Sequence, residues 1–344
     1  MRELYRVLYG SKLYGTSTAT SDVDFKVIYV PPIEDLLLLK KPKIFKHRFD
    51  ADGNRIPDDG TPMPDRGTEV EFFPVQTFVR EFVNGQTYAV EMAFALAHQG
   101  DPMMKEMIAK FGNKDVYSMV SFALKQTMDY VTRGERLNDA VKVREALETV
   151  LNKAAANAET VLDCPLEAQA RDKIRLDAVL DGVKALDVIS EMTDLKTGTA
   201  ESTNKTLRTL ELNGRSYLET SAMSHVIKAV DKLIKSYGER TSTAAKTSVD
   251  FKSLSHAIRV YQQVLELLDT GTITFPRPNA EFLLHVKQGK GDMEDVKELL
   301  RALDQEVQLK LETSRVRPRT PKLEQEADGW LMSWLFGLYG IKFS

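Results

Sequence analysis

Cysteine is nearly absent from this sequence of 344 residues. Because Cys164 is the single cysteine, an internal disulfide and a cysteine-rich zinc site are both excluded. The five histidines are scattered, and none has a partner at the spacing of metal ligands, which argues against zinc chemistry. We expect Cys164 to serve in packing.

Long apolar runs and a strong net charge are missing as well. No uninterrupted apolar stretch is long enough to span a bilayer, and strand-like sequence begins by Leu4 in place of a charged and then apolar leader. The formal net charge is -3, with 42% hydrophobic and 28% charged residues. We therefore expect a soluble protein of two domains with no membrane partner.

The sequence does contain a Gly-Ser pair between two apolar runs. Gly10 and Ser11 follow the run from Leu4 to Tyr9, and a second run extends from Val23 to Val30, so both runs are typical of buried strands. Glycine lets the backbone turn sharply toward a phosphate, and Ser11 can cap a short helix and donate to anionic oxygens. The turn is therefore a candidate phosphate site.

Two aspartates stand at the start of the second strand. Asp22 and Asp24 are separated by one residue, which places both side chains on one face of a strand with Val23 buried behind them. Carboxylates in this arrangement can share a pair of magnesium ions. In an in-line attack on an α-phosphate, one metal activates the attacking hydroxyl and the other steadies the leaving pyrophosphate. The pattern indicates nucleotidyl transfer, and the alternative is an ordinary strand-loop-strand segment with solvated aspartates.

The combination of Gly-Ser with Asp-x-Asp resembles the DNA polymerase β nucleotidyltransferase superfamily. The longer stretch GSKLYGTSTATSDVDFKVIYVPP is most similar to the stand-alone predicted nucleotidyltransferases of bacteria and phages. Asn84 and Glu91 also match an Asn and a Glu at the start of that group's second helix. Further positions that fit its pattern are Tyr14, Gly15, Thr18, Ser21 and Pro31.

The resemblance implies a third carboxylate on a later strand, beside the catalytic Asp22 and Asp24. The stretch GTEVEFFPV offers Glu69 and Glu71, which again fall on one strand face. We prefer Glu69, with Glu71 as the alternative, although the family more often has Asp at this place. The implied cofactor is Mg²⁺ or Mn²⁺, and the implied substrate is a nucleoside triphosphate such as ATP.

The resemblance also implies residues that bind the nucleotide. Three of them, Lys252, His256 and Arg259, recur at i, i+4 and i+7 on a helix for which Ser248 is the expected cap. That basic stripe is either solvated or turned toward a phosphate. The full set of nucleotide-binding candidates is Gly10, Ser11, Lys12, Tyr14, Thr18, Ser21, Lys252, His256 and Arg259.

The expected fold class is α+β. We predict a small mixed-sheet nucleotidyltransferase domain over residues 1–112, followed by a mostly helical domain over residues 113–344. The second domain should contain a small β-hairpin near residues 207–219, because Asn213 and Gly214 suit a tight turn between two alternating runs.

Local patterns refine this outline. Residues 43–67 are polar and rich in Gly and Pro, which predicts a hairpin or a long loop at the rim of the site. Residues 196–206 are expected to form a mobile loop, and residues 137–192 two long helices with Pro165 at a helix start. Apolar spacing of three and four predicts further helices over Val75 to Phe82, Tyr88 to His98, Pro102 to Phe111 and Tyr117 to Val131.

The acceptor of the nucleotide is the least determined part of the function. An RNA or tRNA 3′ end is our first hypothesis, because local groups of Lys and Arg can follow a phosphate backbone even in a chain of low net charge. The alternative for both groups is a solvated loop. They consist of Lys40, Lys41, Lys43, Lys46 and Arg48, and of Arg315, Arg317, Arg319 and Lys322.

Two other functions stay open. One is transfer to a hydroxyl of a protein, as in the small nucleotidyltransferase antitoxins that this segment resembles. The other is a non-catalytic nucleotide sensor. The presence of both aspartates and two candidate third acids argues against a sensor, because carboxylates that face each other are electrostatically costly without a metal. The expected location is the cytoplasm of a bacterium or of a phage-infected host.

Overall fold

A computed structural model gives the fold, which is of the mixed α+β class that the sequence predicted. It describes residues 1–38, 40, 42–57, 64–112, 116–162, 168–184, 198–202, 205–212, 215–236, 249–313 and 321–340. The expected cap Ser248, as well as Cys164 and Pro165, lies outside these ranges.

The strands form two sheets. The order in the five-stranded sheet is β1-β2-β5-β3-β4, and β6-β7-β8 make up the three-stranded sheet. Within the first sheet β2 and β5 are parallel, and the other neighbours are antiparallel. The strands are β1 (Arg2–Tyr9), β2 (Val23–Val30), β3 (Phe45–Phe49), β4 (Arg55–Ile56), β5 (Thr68–Pro74), β6 (Gly198–Ser202), β7 (Lys205–Leu212) and β8 (Arg215–Leu218).

Helices make up most of the remaining described chain. The first nine are α1 (Gly10–Tyr14), α2 (Ile33–Leu37), α3 (Val75–Val83), α4 (Thr87–His98), α5 (Pro102–Phe111), α6 (Tyr117–Leu162), α7 (Ala168–Arg171), α8 (Leu176–Lys184) and α9 (Met223–Ser236). They are followed by α10 (Phe251–Thr270), α11 (Ala280–Lys287), α12 (Met293–Thr313) and α13 (Pro321–Tyr339).

The chain divides into two compact units that do not follow its order. Met1–Met128 and Phe251–Ser344 form the first unit, and Asp129–Asp250 forms the second. The boundary that we predicted at residue 112 separates the sheet from all later helices. In the structure, the unit that contains the five-stranded sheet also contains α10 to α13.

The two faces of the five-stranded sheet differ in chemistry because side chains alternate along each strand. One face carries an apolar cluster in which Val27, Tyr29, Val70 and Phe72 are buried. The opposite face carries the acidic residues at the beginning of β2 and β5, and α4 reaches it through a hydrogen bond from Tyr9 to Glu91. Helices therefore cover the face on which the candidate catalytic carboxylates lie.

The helices after the sheet match their predicted limits closely as far as α5, but not beyond. We expected a helix ending at Val131 and two long helices over residues 137–192. The structure instead has α6 unbroken from Tyr117 to Leu162, followed by the short α7 and α8. Alanine and leucine, which favour helices, are frequent in this stretch, and the single Gly134 costs only about 1 kcal/mol relative to alanine within a helix.

The second unit has an apolar core and the small hairpin that the sequence predicted. Strands β7 and β8 pair antiparallel, with Leu212 opposite Arg215, and the turn at Asn213 and Gly214 lies outside the described residues. The prediction of a loop over residues 196–206 was wrong, because Gly198–Ser202 forms β6 and pairs with β7. A β-branched residue such as Thr199 favours an extended edge strand.

Residues 43–67 contain a hairpin, one of the two forms that we expected. Strands β3 and β4 pair antiparallel, and β3 extends the main sheet by pairing with β5. In the part of the chain that the structure describes, no helix is long and apolar enough to cross a membrane.

Candidate active site

The Gly-Ser turn lies directly against one of the two aspartates. Strand β1 ends at Tyr9, which is the antiparallel partner of Asp24 on β2. The next residue, Gly10, has a φ of 61°, and a Cβ at this position would overlap the Asp24 carboxylate. Only glycine combines this left-handed backbone with so close an approach. The structure thus brings the candidate phosphate turn and the candidate metal ligand together.

The turn continues as the short helix α1. It begins at Gly10, so Ser11 occupies its second position and does not cap it, contrary to our expectation. The helix ends at Gly15, which has a φ of 77°, and Ser11 O accepts a hydrogen bond from the Thr16 backbone N–H at 2.9 Å. Lys12 is exposed on this helix.

Thr18 and Ser21 organise the loop between α1 and β2. The Thr18 backbone N–H donates to Ser21 Oγ at 2.8 Å, and the two hydroxyls lie 3.0 Å apart. These two candidate nucleotide-binding residues therefore hydrogen-bond to each other and shape the approach to Asp22. Both side chains are partly exposed.

Asp22, Asp24 and Glu69 form a group of mutually repelling charges, which we call the acidic triad. Asp24 lies opposite Glu69 in the parallel pairing of β2 and β5, and Asp22 stands one residue before β2. Burial, followed by the charges of Glu69 and Asp22, raises the pKa of Asp24. Burial also raises the pKa of Asp22, to which the charges of Asp65 and Glu69 add. Carboxylates that disfavour one another's ionisation are suited to share a cation.

Glu71, the alternative third carboxylate, lies in a different environment. It forms an ion pair with Lys26, and the Lys26 ammonium lies 4.8 Å from the ring centroids of both Tyr9 and Phe73 and 5.2 Å from that of Tyr88. The aromatic rings and Glu71 together stabilise this half-buried cation. Of the two glutamates, the structure places Glu69 beside the aspartates and Glu71 beside Lys26.

The acidic triad offers the right donors for Mg²⁺ without a finished cage. Across the described residues, no three His, Cys, Asp or Glu side chains are gathered closely enough to hold a metal ion. Glu69 accepts a hydrogen bond from Lys46 Nζ at 3.1 Å, and repulsion keeps like charges apart. Carboxylate oxygens are nevertheless the ligands that Mg²⁺ prefers, and the absence of a side chain at Gly10 leaves Asp24 open toward a phosphate.

Two lysines from the last third of the chain stand beside the acidic triad. The exposed Lys252 is the second residue of α10, and its charge opposes the upward pKa shift of both aspartates. Lys287 ends α11 and donates from Nζ to Thr16 O at 3.3 Å. Burial and the nearby Lys252 lower the pKa of Lys287, while the two aspartates oppose this shift. Sequence reasoning missed Lys287, because its neighbours form an ordinary short helix without a motif.

Arg259 and Tyr14 do not lie on an open surface. The Arg259 side chain is 5% exposed and forms an ion pair with Glu91, which is completely buried. Tyr14 OH donates to Glu91 Oε2 at 2.8 Å. Arg259 is therefore not solvated, and its guanidinium group is turned toward Glu91. His256, one turn before it, is partly buried.

The structure describes only some members of the two groups of Lys and Arg that we identified in the sequence as possible RNA contacts. Lys40 and Lys46 form ion pairs with Asp35 and Glu69, and Arg48 Nη2 donates to Pro57 O at 2.6 Å. Such exposed pairs are weak and open to exchange with other anions. Lys43 and Lys322 are exposed. The members outside the described residues are Lys41, Arg315, Arg317 and Arg319.

Comparison with known proteins gives a phage relative. The chain is 28% identical over 311 residues to a protein of Enterobacteria phage T4 named as an uncharacterized 38.9 kDa protein in the nrdC-mobD intergenic region. The alignment covers 87% of each of the two chains. No protein-family profile matches the chain, and no solved structure matches it. The residues of the site are therefore the basis for the function of this chain.

Proposed function

We propose that this chain is a metal-dependent nucleotidyltransferase of the polymerase β type. It transfers a nucleoside monophosphate from a nucleoside triphosphate to a hydroxyl acceptor and releases pyrophosphate. The proposal depends on one observation: Gly10, Asp24 and Glu69 lie next to one another at the ends of the neighbouring strands β1, β2 and β5. A phosphate turn and paired carboxylates at one point are what this chemistry requires.

Each member of the site has a role in this proposal. Asp22, Asp24 and Glu69 would hold the ion, Mg²⁺ or Mn²⁺, which when bound supplies charge stabilisation at the phosphoryl group and activates a hydroxyl. The backbone of Gly10 and the amide and hydroxyl of Ser11 receive the triphosphate oxygens beside Asp24. Glu69, at the edge nearer to β3, accepts a hydrogen bond from the attacking hydroxyl.

Charge balance supports a role for Lys252 and Lys287. A triphosphate placed next to three carboxylates would be repelled by their negative charge. Two lysine ammonium groups face the carboxylates from α10 and α11. We infer that they orient the outer phosphates and favour departure of pyrophosphate.

For the acceptor, an RNA or tRNA 3′ end remains our first proposal. The exposed Lys43 and Lys322 provide positive charge away from the phosphate turn, and Lys12 provides it beside Ser11. Exposed lysines are the usual contacts to a phosphate backbone. The phage relative supports the cytoplasm of a bacterium or of a phage-infected host as the place of the reaction.

A labelling experiment tests the chemistry and the acceptor together. Purified protein is incubated with each α-labelled nucleoside triphosphate, Mg²⁺ or Mn²⁺, and total RNA, beside an Asp22→Ala/Asp24→Ala control. We expect label on an RNA band with the wild type alone. Label on a protein band would replace RNA by a protein acceptor, and label that persists in the control would refute the mechanism.

The two glutamates provide a matched pair for the third carboxylate. Glu69→Gln should lower transfer by roughly 10²- to 10⁴-fold, because it removes a group that acts on the attacking hydroxyl. Glu71→Gln is the same chemical change two residues further along β5, next to Lys26. It should leave transfer nearly unchanged. Initial rates at saturating nucleotide distinguish the two variants. Equal losses in both would contradict the assignment of Glu69.

A further inference from the structure

A fully buried carboxylate lies behind the phosphate turn. Helix α4 buries nearly all of its side chains, from Thr87 to Leu96, and most of them are apolar. Glu91 is the charged member of this buried run, with 0% exposure. An ionised carboxylate in such surroundings is strongly unfavourable unless it is paired and hydrogen-bonded.

Three side chains satisfy Glu91. The hydroxyls of Tyr9 and Tyr14 both donate to Oε2, the second at 2.8 Å, and Arg259 Nη1 forms the ion pair with Oε1. Burial, aided by the charge of Glu91, raises the pKa of both tyrosines, so they remain hydrogen-bond donors at neutral pH. Burial alone would lower the pKa of Arg259, but the electrostatic interactions with Glu91, Tyr14 and Tyr9, together with the hydrogen bond to Glu91, raise it overall.

These partners flank the phosphate turn on both sides. Tyr9 is the residue before Gly10, and Tyr14 is the last residue of α1. A single carboxylate oxygen therefore holds both ends of the turn. The Arg259 guanidinium carbon lies 3.8 Å from the centroid of the Tyr14 ring, so Arg259 also packs on the turn directly.

The same turn is tied to the segment that follows α10. The Arg277 backbone N–H donates to Tyr14 O at 3.1 Å, and Lys287 Nζ donates to Thr16 O. A Cβ at Gly15 would lie 3.0 Å from Pro276 Cβ, which shows how closely the two segments pack. The position of α1 thus depends on residues from the last third of the chain.

The energetics favour a role in geometry over a role in stability. A buried ion pair is often no more stabilising than apolar side chains of the same volume. Hydrogen bonds that converge on one atom, in contrast, fix the donors in one arrangement. Glu91 and Arg259 therefore contribute most where an exact position of Tyr9 and Tyr14 matters, which is on either side of Gly10.

We infer that Glu91 and Arg259 are positioning residues that hold the turn at Gly10 and Ser11 in the geometry that receives the nucleotide phosphates. They act through the hydroxyls of Tyr9 and Tyr14 and do not touch the substrate. The claim that the turn receives nucleotide phosphates rests on the proposed function, and we call it the purpose of the arrangement. The claim that the buried pair fixes the turn, its mechanical part, is independent of the proposed function.

Hydrogen exchange of the turn tests the mechanical part. Backbone amides of residues 10–16 are followed by mass spectrometry in the wild type, Glu91→Gln, Tyr14→Phe and Tyr261→Phe. Tyr261 is a matched control, because it is buried on α10 and its hydroxyl donates to Asp304 at 2.9 Å. We expect about tenfold faster exchange in Glu91→Gln and Tyr14→Phe, with no change in Tyr261→Phe.

Two results would overturn the inference: unchanged exchange of the turn in Tyr14→Phe and Glu91→Gln, or the same increase in Tyr261→Phe. If Glu91→Gln does not fold, Tyr14→Phe and Tyr9→Phe decide alone, because each removes one hydroxyl and leaves the ion pair.

Nucleotide binding tests the purpose. The Kd for labelled ATP, measured without an acceptor, should rise about tenfold in Tyr14→Phe, and KM for the nucleotide should rise with it while kcat changes less. Tyr261→Phe should bind like the wild type. Absence of binding by the wild type would refute the proposed function, whereas the exchange data would still decide whether the pair positions the turn. Unaltered binding by a Tyr14→Phe protein whose turn exchanges faster would overturn the assignment to the phosphates.

Discussion

The first compact unit, residues 1–128 and 251–344, buries charged and polar side chains, whereas the second, residues 129–250, has an apolar core. The buried core of the second unit consists of residues such as Leu147, Leu176 and Val226, with Tyr217 at its edge. Among the described residues of the first unit, the buried polar ones are Thr16, Thr87, Glu91, Gln126, Ser253, Ser255, Arg259, Gln263 and Arg277. In the described part of the second unit, the buried polar residue is Asp250.

The first unit therefore favours a fixed geometry over maximal stability. Burial of a polar or charged group is unfavourable unless each of its atoms is satisfied, so such groups concentrate where a fixed arrangement matters. In the first unit several of them surround α1, and the acidic triad lies next to it. In the described part of the second unit, the buried core is apolar.

We expect the largest effect on nucleotide transfer from a substitution in the acidic triad of the first unit. Asp24→Asn should lower nucleotide transfer by about a thousandfold, because the metal loses a ligand and with it several kcal/mol of transition-state stabilisation. The same variant should unfold at a higher temperature in metal-free buffer, since burial and the charges of Glu69 and Asp22 disfavour the ionised Asp24. Transfer assays and thermal unfolding of the same samples provide both readouts.

Asp52→Asn is the control for this variant, because Asp52 is an exposed residue of a turn. It should change neither quantity. A lower unfolding temperature in Asp24→Asn would show that the carboxylate stabilises the fold, contrary to the electrostatics of the triad.

A variant in the other unit should show the reverse behaviour. Leu147 is completely buried in the apolar core, and Leu147→Ala should lower the free energy of unfolding by about 2–5 kcal/mol through lost transfer free energy and a cavity. Nucleotide affinity should stay at the wild-type value under conditions in which the protein is folded. Leu218→Ala, at a leucine that is 39% exposed, should cost far less. Weakened nucleotide binding in Leu147→Ala at low temperature would break the separation of roles between the units.

The smallest expected effect concerns a second buried pair of the first unit, Arg277 and Glu266. Burial alone would raise the pKa of Glu266, but hydrogen bonds from Thr274 and Arg277 lower it overall, below its ordinary value of 4.5. The unfolded chain then binds the proton more readily, so this stabilisation is complete above pH 4.5 and is lost as the pH falls through the folded-state pKa.

Urea unfolding of the wild type and Glu266→Gln from neutral to acid pH measures this effect. The variant should be about 1 kcal/mol less stable at neutral pH, a value discounted for screening by solvent, and the difference should vanish in acid. Glu294→Gln removes the exposed ion pair with Lys297 and should have almost no effect at any pH. A difference between wild type and Glu266→Gln that persists in acid would show that the pair does not act through the ionised carboxylate.

Features set by neighbouring residues could be predicted from the sequence. Alternating and helical spacings located β2, α3, α4 and α5, and the Asn-Gly dipeptide located the hairpin of β7 and β8. Gly10 lies beside Asp24 because β1 and β2 are consecutive antiparallel strands, in which Tyr9 is the partner of Asp24. In each case the deciding contacts lie within a few tens of residues.

Features set by distant contacts could not be predicted. Arg259 looked like one member of a basic stripe, and its burial became visible only with Glu91 in place. Lys287 carries no local signal, and it reaches Thr16 only because α11 packs beside α1. Nothing in the spacing of residues indicates that the unit containing the sheet is completed by residues 251–344.

The discontinuity of the first unit has a consequence during synthesis on the ribosome. The turn, the strands and the acidic triad emerge early, but Arg259, Arg277 and Lys287 emerge only after residues 129–250 have been made. An early nascent chain would carry the acidic triad with Glu91 unpaired and the turn unsupported. Under our proposals, nucleotide binding would begin only after Lys287 has left the ribosome, because this residue contacts Thr16 beside the turn.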